Sequence, residues 1–166
     1  MLTVVGDDRA GLVAALADVV TAHGGNWEHS ELAELAGTFA GIVVVSVAED
    51  RAEDLTRALG GLDGLLKVTA HPGHAEAAEP SRELELTVLG NDHPGIVRDI
   101  SAVLSRHALS IEKLTSETRE APMAGGRLFE ARVVTRVPAD ADLAAIRADL
   151  ERLAAEILVE IAVAEA

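Results

Sequence analysis

The segment LTVVGDDRAGLV, Leu2 to Val13, returns as LTVLGNDHPGIV, Leu86 to Val97, 84 positions later. The same offset pairs Leu12, Leu16, Val19 and Val20 with Ile96, Ile100, Val103 and Leu104, and His23 and Glu28 with His107 and Glu112. The apolar positions follow the i, i+4, i+7, i+8 spacing of one face of an amphipathic helix. A repeat of this length means two copies of one supersecondary unit, or two whole domains.

Both copies read alike. ELELTVLG alternates Leu84, Leu86 and Val88 with Glu83, Glu85 and Thr87, the pattern of a strand with one covered face. A helix follows from about Ala10 in the first copy and Pro94 in the second, where a proline suits the first helical position. Gly24-Gly25 ends the first of these helices. Two strands come next, NWEHSELAEL and FAGIVVVSVA in copy one, SIEKLTSET and RLFEARVVTRV in copy two. Ala36-Gly37 joins the first pair; a longer loop from Arg119 to Gly126 joins the second. A second helix carries Leu55 and Leu59, or Leu143, Ile146, Leu150 and Leu153, and a strand near 65–71 or 158–163 closes each unit. The expected fold is α+β: two ferredoxin-like βαββαβ units, each an antiparallel sheet with helices on one face. The expected boundaries are 1–72 and 83–166, with a linker over 73–82.

Composition narrows the function classes. Only 2% of the 166 residues are aromatic, so the cores must be aliphatic. With no cysteine there is no disulfide framework or thiol nucleophile. The start of the chain lacks the pattern of a signal peptide, and no apolar run reaches membrane-spanning length, so a cytoplasmic protein without membrane contact is expected. The formal charge is −14, and Lys67 and Lys113 are the only lysines. Direct nucleic-acid binding, which rests on Lys and Arg displacing counterions, is not expected. RNA binding on the sheet is also disfavoured: that mode stacks bases on aromatic residues of the central strands, whereas the chain has no tyrosine and its exposed strand positions include Glu83 and Glu85.

A βαββαβ unit whose first turn reads NDHPGIV, Asn91 to Val97, resembles the ACT domain, a regulatory module that binds amino acids and other small ligands. DDRAGLV, Asp7 to Val13, departs from that pattern with Ala10 in place of proline. GGNWEHSELAELAGTFAGIVVVSV and APMAGGRLFEARVVTRVP extend the resemblance to the family of the glycine-cleavage-system transcriptional repressor and its tandem-ACT relatives. The resemblance implies a non-enzymatic regulator that responds to an amino acid such as glycine and acts through a protein partner such as a transcription regulator. It also implies a ligand lying between two ACT domains, against the turn of one and a strand edge of the other.

The turn has its own physical logic. The first N–H groups of a helix have no intrahelical partner, and with the helix dipole they attract a carboxylate. Gly11 and Gly95 allow close backbone approach. Asp8 and Asp92 suit either the α-ammonium of an amino acid or a structural helix cap. Candidate ligand residues are therefore Asp7, Asp8, Arg9, Gly11, Leu12 and Asn26 for the first turn, with Asn91, Asp92, His93, Gly95 and Ile96 for the second. The second turn, with His93 and Pro94, is the better candidate. No cofactor, metal or catalytic group is expected. His71 and His74 lack a partner at metal spacing, and no nucleophile elbow, P-loop or paired-histidine motif occurs. Formyltetrahydrofolate deformylases begin with a similar unit, but their chemistry needs a separate catalytic domain. His23 and His107 read as helix-end residues, Trp27 and Phe39 as core or interface anchors, and Pro122 and Met123 as a loop able to touch a partner. GIVVVSV is apolar on both faces, which together with the sheet edges points to a homodimer. A constitutive protein-binding pair without ligand response is one alternative, and an accessory domain pair of a folate-linked, deformylase-type enzyme is the other.

Overall fold

Each copy of the repeat folds as strand, helix, two strands, helix and strand. In the computed structural model, which describes residues 1–71, 73, 81–121 and 126–165, the first copy comprises β1 (Leu2–Asp7), α1 (Leu12–Ala22), β2 (Asn26–Leu35), β3 (Thr38–Ser46), α2 (Ala52–Leu59) and β4 (Lys67–Ala70). The second comprises β5 (Ser81–Asn91), α3 (Ile96–Arg106), β6 (Ser110–Glu120), β7 (Arg127–Pro138), α4 (Leu143–Ile157) and β8 (Val159–Glu165). They fall in separate units, Met1–Glu76 and Ala77–Ala166. The sheets run β2-β3-β1-β4 and β6-β7-β5-β8, antiparallel throughout. This is the ferredoxin-like α+β architecture, built twice.

Aliphatic side chains at the expected periods hold each unit together. Leu2 and Val4 of β1 and Val43 of β3 pack against Leu12, Leu16 and Val20 of α1 and Leu55 and Leu59 of α2. In the second unit Leu84, Leu86 and Val88 meet Ile96, Ile100 and Leu104 of α3 and Ile146 and Leu150 of α4. Each such side chain, fully buried, contributes about 1.5–3 kcal/mol relative to exposure. Trp27 and Phe39 are partly buried against the first core. Thr135, fully buried among the apolar residues, donates its hydroxyl proton to the Ser110 carbonyl at 2.7 Å, so its burial leaves no orphaned donor.

The helix starts differ from the sequence expectation. Gly11 and Gly95 have φ of 97° and 104°, a left-handed conformation that no helical residue adopts, so α1 and α3 begin only at Leu12 and Ile96, two residues after the expected starts. Ala10 and Pro94 lie in the preceding turns, not at first helical positions. His23 and His107 are the residues that end these helices. Ala36 and Gly37, both at positive φ (52° and 81°), form the two-residue hairpin turn between β2 and β3. Ser81 and Arg82, expected in the linker, pair with Pro138 and Val137 as the first residues of β5. Pro122, Met123 and His74 lie outside the described residues.

The repeated glutamates sit at matching irregularities. The β2–β3 register shifts between Trp27 and His29, and the β6–β7 register between Ile111 and Lys113, leaving Glu28 and Glu112 as bulge residues. Glu28 accepts hydrogen bonds from Ser46 Oγ at 2.5 Å and Asn26 Nδ2 at 2.9 Å, and the Ser46 bond chiefly holds its carboxyl below the usual value. Glu112 pairs with Arg136.

Candidate functional site

The two strand-to-helix turns share one backbone design. Gly11 and Gly95 occupy the N-cap positions of α1 and α3, and neither helix has a side-chain cap. A serine or aspartate there would cover one of the first N–H groups with its own oxygen. Glycine leaves those groups to water or to an incoming acceptor. The hairpin end of the neighbouring strand steadies each turn: Asp8 N–H donates to the Gly37 carbonyl at 2.9 Å, and Asp92 N–H to the Arg127 carbonyl at 2.8 Å. Among the described residues, neither α1 nor α3 has a side-chain cap hydrogen bond from Asp8 or Asp92.

The candidate residues divide by what they offer. Asp7, Asp8 and Asn91 are exposed at strand ends. Leu12 and Ile96 are each only 2% exposed, so their side chains belong to the core and only their backbone can face a ligand. Arg9 is tied to the loop before β4, donating from Nη2 to the Gly64 carbonyl at 2.7 Å. His93 fastens the second turn to the end of α4, with Nε2 at 3.0 Å from the accepting Ile157 carbonyl and Nδ1 at 3.2 Å from the Pro94 carbonyl. Asp92 has Arg127 Nε at 4.0 Å from its Oδ2. Arg127 also donates to the Thr118 hydroxyl.

Asn26 does not join the turn of its own unit. Asp7 pairs with Thr38 at one end of β3, whereas Asn26 pairs with Ser46 at the other. Eight residues of strand separate those rows, about 26 Å at 3.3 Å per residue. The Asn26 amide is occupied by Glu28.

Sequence reasoning missed the groups that brace the turns: the carbonyls of Gly37, Gly64 and Ile157, and the side chain of Arg127. The Ala36-Gly37 hairpin signal pointed to the first of these, since the hairpin length places Gly37 beside the end of β1. The others come from elements whose packing no local pattern announces. A groove of about 1240 Å³ lies at the end of the first sheet opposite its turn, between α2 and Leu2, Val45 and Ala70. Among the described residues, no three His, Cys, Asp or Glu side chains are grouped to hold a metal, and no helix is long and apolar enough to cross a membrane.

The ACT-domain description applies to the family models that match residues 1–71 and residues 85–155. Among solved structures, an unknown protein from Galdieria sulphuraria is 30% identical with a TM-score of 0.90, over 99% of this chain and 96% of that one. The structure of a candidate glycine cleavage system transcriptional repressor is 17% identical with a TM-score of 0.72, over 99% of this chain and 95% of that one. At that identity the second likeness is one of fold. No curated protein matches the chain.

Proposed function

Because the chain belongs to the ACT-domain family, carrying two such domains in tandem, we propose that it is a regulatory protein without catalytic activity. In this reading it senses a small amino acid, glycine among the first candidates, at its strand-to-helix turns. It acts through protein contacts as a cytoplasmic homodimer, on the expression of amino-acid metabolism. The observation that carries the reading is the pair of glycine N-caps. Each leaves the first N–H groups of a helix without a side-chain cap, beside an aspartate that does not cap them. An α-amino acid presents a carboxylate to the former and an ammonium to the latter.

A second reading, a constitutive protein-binding module, draws support from the first sheet. Val5, Ile42 and Val44, on the face away from the helices, are 42%, 47% and 39% exposed. Thermal unfolding of the full chain with each of the twenty amino acids separates the two. A ligand present at about 100 times its dissociation constant stabilises by about 2.7 kcal/mol, a shift of about 5–10 °C for a chain of this size. A saturable shift with one amino acid supports sensing. No shift with any of them replaces it with the constitutive module.

A further inference from the structure

We propose that two copies of the chain associate through the outer face of the first sheet, the face away from α1 and α2, about a two-fold axis that runs along the strands. This rests on the homodimer part of the reading above and names its surface and its symmetry.

Strand alternation divides the first sheet. Leu2, Val4 and Val43 enter the core, while Thr3, Val5, Ala40, Ile42 and Val44 line the other face. Val5, Ile42 and Val44 stay exposed there, side by side on the two central strands. The second sheet shows what this fold carries on a face that meets water. At the places of Ala40 and Ile42 it has Glu130 and Arg132, and the ion pairs Arg132–Glu85 at 3.0 Å and Arg119–Glu130 at 3.3 Å lace its strands together. A contiguous apolar patch on the same architecture marks a surface built for burial.

Charge selects the occupant and the arrangement. A second copy brings the same net charge of −14, so self-association needs a surface that keeps like charges apart. Val5, Ala40, Ile42 and Val44 supply an uncharged centre, and the two edges carry opposite signs. Lys67 of β4 is the only Lys or Arg in the four strands, whereas β2 holds Glu28, Glu31 and Glu34, with Glu31 in register with Ile42. A two-fold axis along the strands lays the β2 edge of each copy over the β4 edge of the other, acid over base. An axis across the strands would set β2 over β2 and β4 over β4. The face therefore complements itself in the first arrangement alone. Its size sets the strength. Strands of 6, 10, 9 and 4 residues, about 4.8 Å apart and rising about 3.3 Å per residue, give about 450 Å². A standard interface takes about 800 Å² per partner, so the dimer should be reversible and micromolar.

Sedimentation velocity of the full chain, from low to high micromolar concentration, tests this. The expected result is a monomer that converts to a dimer. Ile42→Arg, which copies the residue at the matching place of the second sheet, should weaken the dimer about tenfold or more by burying a charge. The milder pair Ile42→Thr/Val44→Thr, which keeps β-branched side chains in the strand, should act in the same direction. Lys67→Glu should weaken it about fivefold or more by setting acid over acid. Arg132→Ala, on the second sheet, should leave it unchanged. A dimer untouched by both Ile42→Arg and the threonine pair overturns the inference and leaves the homodimer reading standing on another surface. A dimer that Lys67→Glu leaves alone or tightens overturns the symmetry. A chain that stays monomeric at every concentration removes the homodimer reading, and this inference with it.

Discussion

Replacing Gly41 by alanine tests how closely the strands of the first sheet approach. Gly41 sits in β3 between Val4 of β1 and Leu32 of β2. A Cβ built there would lie 2.0 Å from the Glu31 carbonyl oxygen, 2.8 Å from Leu32 Cα and 2.9 Å from Leu32 Cδ2. Ordinary contact begins at 3.4 Å, so relieving the first overlap alone needs about 1.4 Å (3.4 less 2.0). The obstruction is backbone, which no rotamer change can move, so β2 itself must retreat. Overpacking typically costs about 1–3 kcal/mol, and each ladder hydrogen bond stretched adds about 0.5–1.5 kcal/mol. A loss of about 3 kcal/mol is expected, lowering the melting temperature of a unit this size by about 12–24 °C. Calorimetry of the full chain, following the transition of the first unit, measures it. The second sheet supplies the control. Ala131 occupies the matching place, between Val88 and Ser116, and is buried there without difficulty. Ala131→Gly should therefore cost only about 0.5–1 kcal/mol. A Gly41→Ala protein melting within about 1 kcal/mol of the unaltered chain would refute the argument, because the strands would then have room to spare. The substitution has a functional corollary. Because the β2–β3 hairpin carries the Gly37 carbonyl that holds Asp8, displacing it should also loosen the first turn.

Two further outcomes are expected. Asp142 caps α4 by accepting from the Ala145 N–H at 3.0 Å, so Asp142→Ala should lower stability by about 1 kcal/mol in urea unfolding of the second unit. Asp149 accepts from His107 Nε2 at 3.0 Å, and that bond is the chief cause of its depressed pKa. A depressed acid stabilises the fold above its unfolded value of about 3.9 and ceases to as pH falls through its folded value. Asp149→Asn should thus be less stable than the unaltered chain at neutral pH, and the two unfolding curves should draw together below about pH 4.

Much of the fold was legible because its signals are local. The alternation of Leu84, Leu86 and Val88 follows from the two-residue period of a strand, and the Leu12–Leu16–Val20 spacing from the helical turn. Those periods belong to the backbone, and the chain repeats them twice. The helix starts were misplaced because Ala10 and Pro94 are good helix-opening residues by type. The left-handed φ at Gly11 and Gly95, which decides the boundary, is a property of the turn as a whole. In the candidate site the glycines and aspartates stand out through their repetition, whereas Leu12 and Ile96 carry the apolar helix period that buries their side chains and leaves only their backbone to the turn.

The sequence alone determined that two βαββαβ units would form, that their cores would be aliphatic, and that each would carry a glycine-opened turn at a helix N-terminus. Periodicity and backbone preference act over a few neighbouring residues, so one chain of letters suffices to state them. Tertiary structure alone decided what meets each turn. Strand register set Asn26 at the far end of β3 and brought Arg127 to Asp92, and helix packing delivered the Ile157 carbonyl to His93. These partners are far apart along the chain, and their meeting depends on how strands and helices align across the fold.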